Sequence, residues 1–401
     1  MILSGVHILG RKGLRDITIR DGRISLIAPS GKAGAPGASA PQSPQPPEAL
    51  AGPVLHLTGT LAFAGLINSH DHLDFNLFDH LAGRIYHNYR EWGTDIHQTD
   101  GHRIAKVLRV PQSLRVRWGL YKNLLAGVTT VVHHGRPVPT TQDLISVSQN
   151  IQSFHSVSGE KGWKLKILTR RGPIAVHVGE GTDPSAHREI DELLRWNIWR
   201  RPLIGIHGVA MDKRQAQAFE ALVWCPDSNH FLLNATARVD LLKDKTKMLF
   251  GTDSTLSASW NIWDHLRLAR LEGMLSDVEL LDALTFTPSS VWNLKDRGRI
   301  EEGALADIVI ARPPLEANRA LSYPWDAFFS LNPSDIMLVT HQGEIRLFDE
   351  ALKEQLNVGG FTEVRYPETG AIKYVKGDLP GLMKQIREYH PCAEFPVSLP
   401  E

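Results

Sequence analysis

Cysteine is nearly absent: 401 residues carry two, Cys225 and Cys392, with no CxxC pair and no zinc-knuckle spacing. That excludes a disulfide framework and favours a reducing compartment. No sign of charge is in excess, since 44 Lys and Arg balance 44 Asp and Glu and no block of like charge occurs. A partner held by electrostatics, such as nucleic acid or an anionic membrane, is not expected, and a small neutral substrate fits better. No apolar run approaches the roughly 18 residues of a membrane span. The opening MILSGVHILGRKGLRD puts its apolar stretch before its basic residues, the reverse of a secretory signal. The expectation is a soluble, cytoplasmic protein. No internal repeat is found, which removes solenoids.

What is present is a 42% hydrophobic share, enough for one large domain of roughly 250 residues and a smaller one. Residues 1–60 read as β-rich, with DITIRDGRISLI holding a DG hairpin turn. Within them, residues 30–53 are rich in Pro, Gly, Ser and Ala and read as a mobile loop. Residues 61–300 alternate strand-like runs with helical stretches, as a parallel α/β architecture does. The strand candidates are LAFAGLIN, GVTTVVHH, IQSFHSV, PIAVHVG, LIGIHGV, ALVWCP and KMLFGTD. In SAHREIDELLRWNIW, the residues Ile190, Leu193, Leu194 and Ile198 fall on one helical face. These seven strands suggest a (β/α)8, TIM-like barrel, shortened if the span between Gly135 and Pro173 lacks a unit. Residues 301–401 return to β character, including a QG turn, and end in a helix around LPGLMKQIREYH. The economical arrangement is one small β-sandwich built from both termini.

Polar residues interrupt the strand candidates at their C-terminal ends. His70 and His72 close the first, His177 and Glu180 close PIAVHVGE, His207 closes LIGIH, and Asp253 closes MLFGTDS. In a parallel barrel these ends share one rim, where active sites of that architecture lie. His-x-His on a strand aims both imidazoles to one side, because side chains alternate with period two. Three imidazoles and one carboxylate, from His70, His72, His177 and Asp253, suit zinc or another transition ion such as iron, with a position left for water. Such an ion lowers the pKa of water towards about 7. Glu180, three residues past a ligand, is placed to move protons. Packing alone explains this set poorly, since each buried polar group would need its own partner.

Other residues carry two readings each. His133 and His134 end GVTTVVHH and either line the rim or make structural hydrogen bonds. RIYHNYREWGTDIH, with His87, Tyr89 and Trp92, is either a loop closing over the site or a surface segment with packed aromatics. Trp196, Trp199 and Trp260 are expected to pack helices. Cys225 in WCPDSN lacks a basic neighbour and reads as a buried small residue.

These motifs resemble the amidohydrolase superfamily, in particular the aminohydrolase and chlorohydrolase branch that acts on s-triazines, purines, pyrimidines and related heterocycles. GLINSHDH is similar to the first-strand signature, HVGE to the fifth-strand motif of the deaminases, IHGV to the sixth, CPDSN to the seventh and LFGTDS to the eighth. TPSSVWNLKDRGRIEEGALADIVI resembles the return into the terminal β-sandwich, and FAGLIN departs from the pattern in lacking a proline before the glycine. The resemblance implies one divalent ion per chain, zinc first and iron second, on His70, His72, His177 and Asp253. It implies that His207 orients the attacked group or the water, that Glu180 shuttles a proton to a ring nitrogen, and that Asp253 doubles as general base. Asn229 would brace the rim, standing with His134, His87 and Trp92 among the candidate substrate contacts. A homodimer is common among such relatives.

The implied reaction is hydrolysis at an sp2 carbon, with metal hydroxide attacking a C–NH2 centre and ammonia leaving. Three alternatives stand beside it. The same centre would serve a lactam, a cyclic amide or a C–Cl bond. A two-metal member would need a carboxylated lysine, for which Lys164 and Lys166 lie in the right region. A catalytically silent binding protein would be expected to have lost ligands, and none is missing.

Overall fold

A computed structural model describes residues 1–31, 52–140, 143–169, 171–314, 324–357 and 359–399. Residues 32–51, most of the expected mobile loop, lie outside them. The chain divides into two compact units, one of Met1–Gly65, Asp296–Pro380 and Pro396–Glu401, the other of Leu66–Lys295 with Gly381–Phe395.

The first unit is built on one ten-stranded sheet. Its N-terminal strands are β1 (Ile2–Ile8), β2 (Leu14–Arg20), β3 (Arg23–Pro29), β4 (Val54–His56) and β5 (Leu61–Ala64). Its later strands follow the eight of the other unit and are β14 (Ile308–Ala311), β15 (Ile336–His341), β16 (Glu344–Asp349), β17 (Phe361–Arg365) and β18 (Ile372–Lys376). The two ends of the chain join where β5 pairs antiparallel with β14, Ala64 opposite Ile308 and Leu61 opposite Ala311. One apolar cluster draws on both, from Leu3, Ile17 and Ile24 to Ile308, Leu338 and Phe348.

Both turns read from the sequence close two-residue hairpins. Asp21 and Gly22 join β2 to β3 at φ 49° and 75°, and Gln342 and Gly343 join β15 to β16 at φ 52° and 77°. Two successive positive φ values match the right-handed twist of the strands, which is why DG and QG serve here. The two turns also touch: a Cβ on Gly22 would meet the Gln342 carbonyl oxygen at 2.9 Å.

The second unit holds β6 (Leu66–Asp71), β7 (Val128–His133) and β8 (Ser146–Ser148) in one parallel sheet, order β6-β7-β8. A second parallel sheet, order β13-β12-β11-β10-β9, contains β9 (Gln152–Ser156), β10 (Ile174–Val178), β11 (Leu203–His207), β12 (Ala221–Trp224) and β13 (Lys247–Phe250). Every residue of β6, β7, β10, β11 and β12 is buried, as in parallel sheets covered on both faces. Among the described residues no ladder joins β8 to β9 or β13 to β6. At the site end of the strands, the Thr252 and Asp253 amides donate to the His70 carbonyl at 3.1 and 3.0 Å. Helices follow the strands, for example Pro184–Trp196, which starts with Asp183 accepting from the Ala186 amide and with proline in its first turn.

Four details depart from the sequence reading. LAFAGLIN is two strands: the Gly65 amide donates to Asp307 and the next amide, of Leu66, to Gly127, so adjacent residues feed different sheets. The strand absent from the expected set is β8, whose residues SVS are too short and too polar to show periodicity. Ile198 lies beyond the helix that ends at Trp196 and is 62% exposed, so it is no part of the buried face. Trp199 is 66% exposed and packs no helix core.

Candidate active site

The polar strand ends of the second unit do converge. His70 is the penultimate residue of β6 with His72 just beyond that strand, His177 lies in β10, His207 ends β11, and Asp253 follows β13. The Nε2 atoms of His70 and His177 are 3.3 Å apart, and Asp253 Oδ1 is 3.6 Å from both His70 Nε2 and His72 Nε2. His70, His72 and His177 form one group of donor atoms within 4.8 Å of one another, and His70, His207 and Asp253 form a second.

Neighbouring groups fix which ring nitrogen faces inward. His177 Nδ1 lies 2.8 Å from the His155 carbonyl and donates to it, which leaves Nε2 with a free lone pair. His207 Nδ1 donates to Asn229 Oδ1 at 2.8 Å, and its Nε2 stands 3.6 Å from Glu180 Oε1. Asp253 Oδ2 accepts from Ser228 Oγ at 2.9 Å and Ser257 Oγ at 3.1 Å, while Oδ1 takes the Ser254 amide. Asp253 is held at φ 60° and His207 at φ 71°, left-handed conformations that non-glycine residues adopt at a cost.

Burial sets the protonation of the cluster. Desolvation, reinforced by the other imidazoles, pushes His72, His134 and His177 well below the usual histidine range and His207 down to about 4. Burial works to raise Asp253, but hydrogen bonding and charge from His70, with His72 and His207, overcome it and hold the carboxyl well below its ordinary value. Glu180 goes the other way, raised well above the carboxylate range by burial first and then by the charges of Asp253 and Glu189. Imidazoles held below their usual range beside a carboxyl held below its own favour the forms that bind a metal, and the donor set of three imidazoles and one carboxylate fits zinc.

The cluster forms the floor of a cavity of about 690 Å³. Of the residues singled out from sequence, His72, His134, His177, Glu180, His207, Asp253 and Trp92 line it. His70 is fully buried beneath, and Asn229 is buried behind His207, holding that ring rather than facing the cavity. His87 is not brought in: its ring is three-quarters exposed and lies against Glu91 in the following helical turn. His133 is structural, its Nδ1 accepting from the Leu73 amide and its Nε2 donating to the Arg136 carbonyl.

Sequence reasoning missed His155, which lines the cavity and stacks on His177 with ring centres 4.8 Å apart. Its position near the end of IQSFHSV, like that of the other histidines in their strands, was the available signal. Tyr89 and Trp92 reach the cavity from the helix Tyr89–Thr99, capped by Asn88. That segment is tied to the Glu180 turn through its backbone, the Tyr89 amide donating to the Glu180 carbonyl and the Thr182 amide to that of His87. Lys166 pairs with Glu160 at the cavity wall, and Lys164 pairs with Glu192 without lining it.

Residues 172–341 match the amidohydrolase family. A 5-methylthioadenosine/S-adenosylhomocysteine deaminase from Caldicellulosiruptor saccharolyticus is 23% identical over 398 residues, covering 84% of this chain and 89% of the relative. An adenosine deaminase from Xanthomonas campestris with bound zinc superposes with a TM-score of 0.72 at 14% identity, covering 97% of each chain. The resemblance to the amidohydrolases thus extends to a family match over residues 172–341 and to an overall fold shared with these neighbours, seen here as parallel sheets. A variant of atrazine chlorohydrolase from Arthrobacter aurescens, complexed with zinc and atraton, gives a TM-score of 0.64 at 17% identity, covering 86% of this chain and 94% of the other. Among the described residues no helix is long and apolar enough to cross a membrane.

Proposed function

We propose that this chain is a metal-dependent hydrolase that removes the amino group from an aromatic heterocycle of the purine, pyrimidine, pterin or triazine kind, releasing ammonia. The observation that carries the reading is geometric: donor atoms of His70, His72, His177 and Asp253 converge at the floor of one cavity that Glu180 also lines, where burial pushes Glu180 above the carboxylate range while the imidazoles hold Asp253 below it. Two acids pushed apart in pKa mark the acid and the base of a reaction. His70, His72, His177 and Asp253 would hold one divalent ion, zinc by donor set, which supplies Lewis acidity and a water ionisable near neutral pH.

The chain's own groups then divide the proton work. Asp253 accepts a proton from the attacking water, and Glu180 gives its proton to the ring nitrogen next to the reacting carbon. As the C–N bond breaks, the amine takes the proton that Asp253 accepted and leaves as ammonia, while the new hydroxyl returns a proton to Glu180 and the carbon becomes a carbonyl. His207, held by Asn229, presents Nε2 to the same space and orients the reacting group. Tyr89 and Trp92 cover the cavity from the side, which limits bulk water.

The wider frame belongs to the same reading. The two parallel sheets form one eight-stranded (β/α)8 barrel, and the terminal sheet folds over its shared core as a small sandwich. The cytoplasm is the expected compartment, in keeping with free Cys225 and Cys392, and a homodimer is the expected assembly. The decisive experiment measures ammonia release by zinc-loaded protein from a panel of aminopurines, aminopyrimidines, pterins and triazines, with Glu180→Gln as control. Release lost in the control supports deamination. Silence from zinc-loaded protein overturns it, and chloride or ring-opened product in its place moves the reading to C–Cl or cyclic-amide hydrolysis.

A further inference from the structure

Asp71 stands between the two histidines of the HxH segment, is fully buried, and does not line the cavity. Its Oδ2 accepts from Lys122 Nζ at 3.0 Å and Asn123 Nδ2 at 2.7 Å, and its Oδ1 from Asn76 Nδ2 at 2.6 Å. Lys122, 1% exposed on the helix Gln112–Leu125, also donates to Asn76 Oδ1 and Thr252 Oγ1, each at 3.3 Å. Thr252 precedes Asp253 directly. Its hydroxyl accepts from Asn68 Nδ2 at 2.7 Å and donates to the Asp253 carbonyl at 3.0 Å, and its amide donates to Asn68 Oδ1 at 3.1 Å.

One buried network thus grips the segment that carries His70 and His72 and the residue beside Asp253. Those ligands come from β6 and β13, which share no ladder among the described residues. Stability alone explains such a pair poorly, because desolvating two charges costs several kcal/mol and apolar residues of similar volume often fill the space as well. We propose that Lys122 is a positioning residue, which through Asp71 and Thr252 locks the two halves of the ligand set, drawn from opposite ends of the unit, into one register. The inference rests on the metal-site reading given above. Groups behind the ligands commonly tune metal affinity by about 10- to 100-fold.

The test compares the zinc dissociation constant, from chelator competition, with the melting temperature of the metal-free protein. Lys122→Met strands the Asp71 charge and is expected to lower both stability and zinc affinity, the latter by about 10- to 100-fold. Lys122→Met with Asp71→Asn removes the stranded charge, and is expected to recover melting temperature while zinc stays weak. Thr252→Val removes only the bridging hydroxyl, and is expected to weaken zinc severalfold with little loss of stability. This variant decides the matter if the lysine variant does not fold. A double variant that recovers both quantities, or a folded single variant with wild-type affinity, overturns the proposal. A wild-type protein that takes up no zinc overturns the metal reading itself, a distinguishable result.

Discussion

Buried polar groups of the terminal sheet and those at the imidazole cluster of the parallel unit are handled in opposite ways. In the terminal sheet two buried ions are paired on the spot: Lys373 donates to the Ile336 carbonyl and to Asp349, and Asp307 takes Arg297 on one oxygen and the Gln342 amide on the other. In the parallel unit the imidazoles of His70 and His177 face each other nitrogen to nitrogen, and His207 Nε2 faces Glu180, whose carboxyl burial pushes above its ordinary range. Saturation marks polar groups retained for architecture. Converging unpaired lone pairs mark groups held ready for something that is not protein.

The contrast breaks most visibly at the ligands. His177→Ala is expected to abolish stoichiometric zinc and lower kcat/KM by at least about 10³-fold, checked by metal analysis and steady-state kinetics. Glu180→Gln separates binding from proton transfer: zinc content stays, and kcat falls by about 10²- to 10⁴-fold. Because burial raises the Glu180 carboxyl above its unfolded value, folding near neutral pH must favour its protonated form at a cost, and the same variant should melt higher than wild type in the metal-free form.

On the saturated side, Lys373→Met leaves Asp349 without its cation and should cost about 3 kcal/mol in urea unfolding while zinc affinity is unchanged. A loss of zinc there would erase the distinction between the units.

Acid sharpens the comparison. His72, His177 and His207 are held below the free-histidine value, so their unfolded forms take up protons first. Metal-free stability should therefore be intact above about pH 6.5 and decline as pH falls towards 4, by about 1.4 kcal/mol per unit for each imidazole kept neutral. Thermal melts across that range check it. The smallest effect belongs to a turn: Gly22→Ala must adopt φ 75° against the Gln342 carbonyl and should cost about 1 kcal/mol, with activity untouched.

How much of this was legible in the chain depended on whether a feature is local. The DG and QG hairpins were readable because two adjacent residues determine the turn. His70, His72, His177, His207 and Asp253 were readable because each interrupts an apolar strand at its end. The strand SVS was hidden because three residues have no period, and that His87 stands outside the cavity was unreadable because proximity in sequence to Tyr89 and Trp92 says nothing of which way a helix start points. Lys122 left no signal either, since in YKNLL a lysine reads as an ordinary solvated helix residue. Only the fold shows that it meets Asp71 and Thr252.

The segment that carries Tyr89 and Trp92 is fastened to the Glu180 turn by main-chain hydrogen bonds, which are indifferent to side-chain identity. Its cavity-facing side chains are anchored as well, the Tyr89 hydroxyl donating to Ser156 Oγ at 2.8 Å and Trp92 Nε1 to the Leu81 carbonyl at 2.6 Å. The cavity wall beside Glu180 is thus braced twice over: the capping Asn88 seats the helix start, and both aromatic rings are fixed by their own polar ends.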